Sequence, residues 1–211
     1  MSAPTLRTDR LVMRGWRETD REPYAAMNAD PRVMEHFPGT MSRAESDAHV
    51  DAIAEHFARR GYGLWAVEVP GEAEFIGFVG LNVPRFEAHF TPAVEVGWRL
   101  VPESWGHGYA TEAAREAVRF GFEDAGLAEI VSFTAPANER SQAVMRRLGM
   151  IRDPAGDFDH PRLPEDSPLR RHVLYRLSTP FVARLNPLGS GPTATDHVGV
   201  PVPPAEARVV E

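Results

Sequence analysis

The feature that most constrains this chain is one strand–turn–helix–strand run. Val94 to Val101 is rich in Val, Trp and Leu, the turn Ser104-Trp105-Gly106-His107-Gly108 breaks it, and a helix-compatible stretch follows from about Tyr109 to Ala125. Glu129 to Ala135 then reads as a second strand and Glu139 to Leu148 as a second helix, stopped by Gly149. Alternation of this β-α-β-α kind predicts a partly parallel sheet covered by helices.

The flanking segments extend that sheet. Arg10 to Trp16 is a short apolar strand candidate, and Thr19 to Asn28 is compatible with a helix. In SRAESDAHVDAIAEHFARR, Ser42 and Glu45 have capping-box spacing, and Ala44, Val50, Ile53, Ala54 and Phe57 recur at helical intervals up to Gly61 and Gly63. Leu64 to Val69, Glu74 to Val83 and Val94 to Val101 predict an antiparallel meander, broken by Pro70-Gly71 and by the stretch from Pro84 to Pro92. Arg170 to Leu177 gives a last strand. One domain is expected over residues 1–179, with residues 180–211 a Pro- and Gly-rich tail.

Composition excludes several chemistries. With 43% hydrophobic and 25% charged residues, 211 residues can bury a full core without cross-links. There is no Cys, hence no disulfide, thiolate nucleophile or Cys-based metal site. The net charge of -7 repels polyanions and argues against nucleic acid as partner, while suiting a cationic substrate. No apolar stretch approaches membrane-spanning length and no signal segment is visible, so the expected location is the cytoplasm. The eight His include no HxxxH pair with a Glu between, and no metal is expected; His49 and His56 read as exposed polar positions on the capped helix.

The turn at Gly106 and Gly108 suits an anion. A helix N-terminus presents unpaired N–H groups, and two glycines let a phosphate approach the backbone. On their own, though, two glycines serve a tight turn more often than a phosphate.

The neighbouring residues narrow this. WGHGYATEA resembles the pyrophosphate loop of the GCN5-related N-acetyltransferase (GNAT) superfamily, with Gly108 and Ala110 at the small positions and Trp105 where many members carry Gln or Arg. NERSQAVMRRLGM is similar to a second signature of the superfamily's ribosomal-protein alanine N-acetyltransferase-like branch, its places filled by Asn138, Ser141 and Arg147. The resemblance covers roughly residues 6 to 178. It implies an α+β GNAT fold: a mixed central sheet of about seven strands flanked by helices, with strands 4 and 5 splayed to admit coenzyme A.

The resemblance also implies acetyl-CoA as cosubstrate and a primary amine as acceptor. An amine attacking a thioester must first lose a proton, and Glu95, between Val94 and Val96, is the expected base; without the resemblance it would read as a solvent-facing strand residue. Ser141 is the expected acid toward the departing thiol, though a Ser there can also bond its own backbone. Coenzyme contacts are expected from Trp98 and Leu100, from Gly106, His107, Gly108, Tyr109, Ala110 and Thr111, and from Asn138 and Arg147; Asn138 is equally a good N-cap. Gly97 is expected to permit the bulge behind the splay. Trp16, Trp65, Phe75, Phe78 and Trp98 read as core, and Glu35, His36, Phe37 and Phe86 as acceptor-pocket candidates. The acceptor implied by the branch is a protein N-terminal α-amine; a polyamine, amino acid or aminoglycoside, or a non-catalytic acyl-CoA sensor, are the alternatives. The superfamily often forms homodimers.

Overall fold

A computed structural model of the protein describes residues 3–178; the tail expected over 180–211 lies outside the described residues. The most explicit local instruction in the chain is obeyed. The Ser42 hydroxyl accepts from the Glu45 amide at 3.3 Å, and the Glu45 carboxylate accepts from the Ser42 amide at 2.7 Å, so helix α2 (Arg43–Arg60) starts at its capping box. Gly61 ends it in left-handed backbone, φ 76°. The Val50, Ile53 and Phe57 side chains on one face are buried, each burial contributing about 1.5–3 kcal/mol.

The sheet has nine strands: β1 (Leu6–Arg7), β2 (Val12–Arg14), β3 (Leu64–Val69), β4 (Ala73–Asn82), β5 (Glu95–Leu100), β6 (Glu129–Thr134), β7 (Ile151–Arg152), β8 (Phe158–Asp159) and β9 (Arg171–Ser178). Their order is β1-β2-β3-β4-β5-β6-β9-β7, with β8 also on β9, and among the described residues only β5 and β6 pair in parallel. The expectation of about seven strands falls short because β1, β7 and β8 have two residues each, too few to leave an alternating pattern. Three further helices are α1 (Arg21–Ala29), α3 (Tyr109–Glu123) and α4 (Glu139–Arg147).

Helix α3 crosses from β5 to β6 and buries Ala113, Ala114 and Ala117, residues small enough to bring its backbone near the sheet. The strands it joins then part. They share a single register pair, Glu95 with Val131; the Val131 amide donates to the Val94 carbonyl at 2.8 Å and the Ser132 hydroxyl to the Val96 carbonyl at 3.0 Å. These are the two splayed strands counted as 4 and 5 above. Gly97 does not cause the splay: β5 runs in unbroken register along β4 from Gly77–Leu100 to Asn82–Glu95, with Gly97 opposite Gly80. The opening lies wholly on the β6 side, where the crossover sets the angle, and no bulge is needed.

Away from this opening a buried arginine ties the first strands together. Arg14 on β2 donates to both Asp20 oxygens, at 2.7 and 2.9 Å, to Glu68 at 2.9 Å and to the Glu74 carbonyl at 2.6 Å. Among the described residues no helix is long and apolar enough to cross a membrane.

Candidate active site

Side chains alternate along β5, so Glu95, Gly97 and Arg99 share one face and Val96, Trp98 and Leu100 the other. The first face looks toward α1 and α2, and there the structure opens two adjoining cavities of about 400 and 340 Å³. Glu95 lines both, together with Asn82, His49 and Phe133. Its carboxylate accepts from the Asn82 amide at 2.9 Å. It is half-buried among protein atoms, and burial pushes its pKa up to about 7 against the opposing Asn82 bond. A carboxyl that titrates near neutrality at the junction of two cavities can take a proton and release it again.

Across from Glu95, α2 supplies His49. The prediction that His49 and His56 are exposed is wrong for both. The Tyr24 hydroxyl bonds His49 Nδ1, the rings stack, and burial, with Arg99 and Arg85 nearby, pushes the His49 pKa down to about 4, which keeps the imidazole neutral. His56 is 8% exposed, packs on Tyr62, and is also pushed down by burial. Polar identity suggested an outward position, but α2 is pressed between sheet and cavity, so its inward face includes both rings.

Arg99 also lines the larger cavity. Its Nη1 donates to Asn28 Oδ1 at 2.7 Å and faces the Met41 sulfur at 3.8 Å, and its guanidinium lies 4.1 Å from the Phe37 ring centre and 5.5 Å from that of Phe78. Burial lowers its pKa. Sequence reasoning passed over Arg99 and Asn82 and placed His49 at the surface. Arg99 was within reach, since the period of two that aims Glu95 aims Arg99 the same way; Asn82 depends on hairpin register.

On the β6 side, α4 brings Asn138 and Ser141 to the larger cavity, where Trp98 and Leu100 also line the wall. Asn138 caps α4, its Oδ1 accepting from the Ser141 amide at 3.1 Å, which leaves the Ser141 hydroxyl for the cavity. The Trp105 indole donates to the Leu100 carbonyl at 2.9 Å, with Arg140 stacked 4.7 Å from its ring centre. Trp16, Phe75 and Trp98 are half-buried against the core, while Trp65 and Phe78 are inside it.

The structure does not bring the whole expected set together. Gly106, His107, Gly108, Tyr109, Ala110, Thr111 and Arg147 lie outside the cavity walls, with Arg147 exposed at the end of α4. The loop has the form an anion needs all the same. Gly106 and Gly108 have φ of 80° and 82°, nothing lies within 4 Å of a Cβ added to Gly106, and Gly108 caps α3 with the first-turn amides beyond it. Behind it, Glu112 accepts from Thr8 at 2.6 Å and from Arg10 at 2.7 Å, fixing α3 to the β1–β2 turn. A ligand with a diphosphate at this loop and a narrow arm in the β5–β6 gap fits these residues. Among the described residues no group of three or more His, Asp or Glu could hold a metal ion.

Comparison with known proteins agrees with this geometry. Residues 10–151 match the acetyltransferase (GNAT) domain family. The chain is 36% identical over 154 residues to FsC-acetyl coenzyme A-N(2)-transacetylase of Aspergillus fumigatus, covering 70% of this chain and 65% of that longer protein. It is 30% identical over 152 residues to YkkB, an uncharacterised protein of Bacillus subtilis, covering 71% of this chain and 87% of the relative. The crystal structure of an acetyltransferase from Agrobacterium tumefaciens superposes with a TM-score of 0.68 at 29% identity, over 85% of this chain and 96% of that one. The chain is therefore an N-acetyltransferase of the GNAT family, with acetyl-CoA as its cosubstrate.

Proposed function

We propose that the protein transfers the acetyl group to a primary amine bound beside Glu95. The observation that carries this reading is the Glu95 carboxyl, poised near neutrality between the two cavities and held by Asn82. Glu95 takes a proton from the acceptor ammonium, and the freed nitrogen attacks the thioester carbon. A backbone N–H between Trp98 and Leu100, on the edge of β5 that β6 has left, receives the negative charge on the thioester oxygen. As the C–S bond breaks, the Ser141 hydroxyl gives the sulfur a proton and regains one from the nitrogen, which sheds its second proton as it becomes an amide. The Gly106–Thr111 turn and Arg147 hold the coenzyme phosphates.

The branch resemblance would make the acceptor a protein N-terminus. A small amine is supported by a different observation: Arg99 and the Phe37 and Phe78 rings gather in the same cavity that Glu95 lines, within reach of one compact acceptor. The test is thiol release from acetyl-CoA with short peptides and with small amines, beside calorimetric binding of acetyl-CoA. Turnover with either acceptor class supports the Glu95 reading and chooses between them. Coenzyme binding without turnover of any amine would make the protein a sensor and remove Glu95 as a base.

A further inference from the structure

We infer that Arg99 is an anion anchor in the acceptor cavity, so that the amines this enzyme acetylates carry a carboxylate. The inference rests on the reading of Glu95 as the base and names the substrate class of that same site.

The observation behind it is a cation left unpaired. Of the three Arg99 nitrogens, only Nη1 has hydrogen-bond partners among the described residues, and both are neutral, the Asn28 side chain and the Met41 sulfur. Nε is buried with no partner. No carboxylate of the described residues pairs with the guanidinium, yet it lines the cavity that Glu95 also lines. A half-buried charge whose Nε is cut off from water and which has no counter-ion is costly, and persists where something else supplies the opposite sign. Asn28 could not do so, being neutral and itself fully buried.

The surroundings suit a planar anion. Phe37 and Phe78 lie against the guanidinium, restricting how the fork can turn, and a restricted fork matches a carboxylate through two parallel N–H bonds. Position sets the rest of the substrate. Glu95 and Arg99 are four residues apart on one face of β5, which puts their Cα atoms about 13 Å apart, and both side chains reach into the space between. An acceptor with its amine at Glu95 and its carboxylate toward Arg99 meets the opposite charge at each end. Peptide N-termini without a nearby acid, and polyamines, would set a neutral or positive group against Arg99.

The experiment compares matched pairs of amines that differ only in the carboxylate: glycine and glycinamide, β-alanine and its amide, 6-aminohexanoate and its amide. Thiol release from acetyl-CoA is followed with the whole protein. In at least one pair the acid should show a kcat/KM about tenfold or more above its amide, mostly through KM, since a charged hydrogen-bonded pair replaces a neutral one. Arg99→Gln should bring that ratio to within about twofold, and Arg99→Lys should restore part of it. Equal acid and amide values in every pair, or a preference that survives Arg99→Gln, overturns the inference; the wild-type comparison stands even where a variant folds poorly. If no amine is turned over, the Glu95 reading fails by itself, and calorimetry still decides Arg99. N-acetylglycine and N-acetyl-6-aminohexanoate should then bind the wild type about tenfold more tightly than their amides and lose that margin in Arg99→Gln; equal binding of acid and amide overturns it.

Discussion

Two arginines on this sheet, Arg14 buried and Arg99 half-buried, meet opposite surroundings. Arg14, 5% exposed, has all three nitrogens bonded, to Asp20, to Glu68 and to the Gly15 and Glu74 carbonyls. Burial pulls its pKa down, but the bonds from Asp20 and Glu68 together outweigh it and leave it raised. Arg99 has only neutral partners, Asn28 and the Met41 sulfur, and burial leaves its pKa lowered. The chain can build a complete set of partners for a buried guanidinium, and does so where the charge only joins strands. Beside the cavity it leaves Arg99 and Glu95 short of partners, and space for a ligand with them.

The comparison breaks most visibly if each cluster fails to lose the quantity assigned to it. Glu95→Gln keeps the shape and the Asn82 contact but removes the base, so kcat/KM should fall by about 10²–10⁴ while acetyl-CoA affinity, by calorimetry, stays within about twofold. In the wild type, log kcat/KM should rise with pH and level off above about 7, since Glu95 accepts a proton only when ionised; the variant should lack that limb. An unchanged profile would take Glu95 out of the reaction.

Arg14→Met should do the reverse. It leaves Asp20, 2% exposed, without its counter-ion, and urea unfolding should show a loss of about 3–5 kcal/mol. The folded fraction should keep its kcat/KM. Arg99→Met removes one bond to Asn28 and should cost only about 1–2 kcal/mol. Equal losses from the two arginines would erase the distinction between them.

Ser141→Ala should come next in size. A thiolate leaves readily by itself, its reference pKa being about 8.5, so loss of the hydroxyl should slow kcat only about tenfold with acetyl-CoA affinity kept. Loss of affinity alone would mean that Ser141 shapes the α4 turn and does not act on the sulfur.

How far the sequence could carry these assignments depended on the range of the forces involved. Ser42 with Glu45 and Gly61 fixed both ends of α2 because a cap is local, and α3 begins at Tyr109 after Gly108 for the same reason. Glu95 and Ser141 were legible through their motifs, and the cavity does bring them together. What was not legible came from packing at a distance. His49 looked solvated until α2 was laid over Tyr24 and Phe78, and the splay was ascribed to Gly97 because the α3 crossover geometry is not written in any one residue. Arg99 lies between these cases, since alternation gave its face but only the fold shows that no acid of the described residues meets it.

The smallest effect tests whether the cavity's titrating groups oppose one another, as an unsatisfied cluster should. Glu95 has its folded pKa raised, so between about 4.5 and 7 the unfolded chain ionises first and Glu95 makes stability fall as pH rises. His49 has its folded pKa lowered to about 4, so between about 4 and 6.5 the unfolded chain binds the extra proton and His49 makes stability rise with pH. The two slopes overlap and partly cancel in the wild type. Each is exposed by removing the other: relative to wild type, Glu95→Gln should become more stable as pH rises from 5 to 7, and His49→Gln less stable, each by on the order of 1 kcal/mol once screening through the cavity is allowed for. Urea unfolding of the three proteins at pH 5, 6 and 7 gives the differences directly, because the remaining carboxylates and histidines titrate alike in all of them. Difference curves of the same sign would mean that the two groups do not share one desolvated space, and the contrast with the fully paired Arg14 cluster would then rest on Arg99 alone.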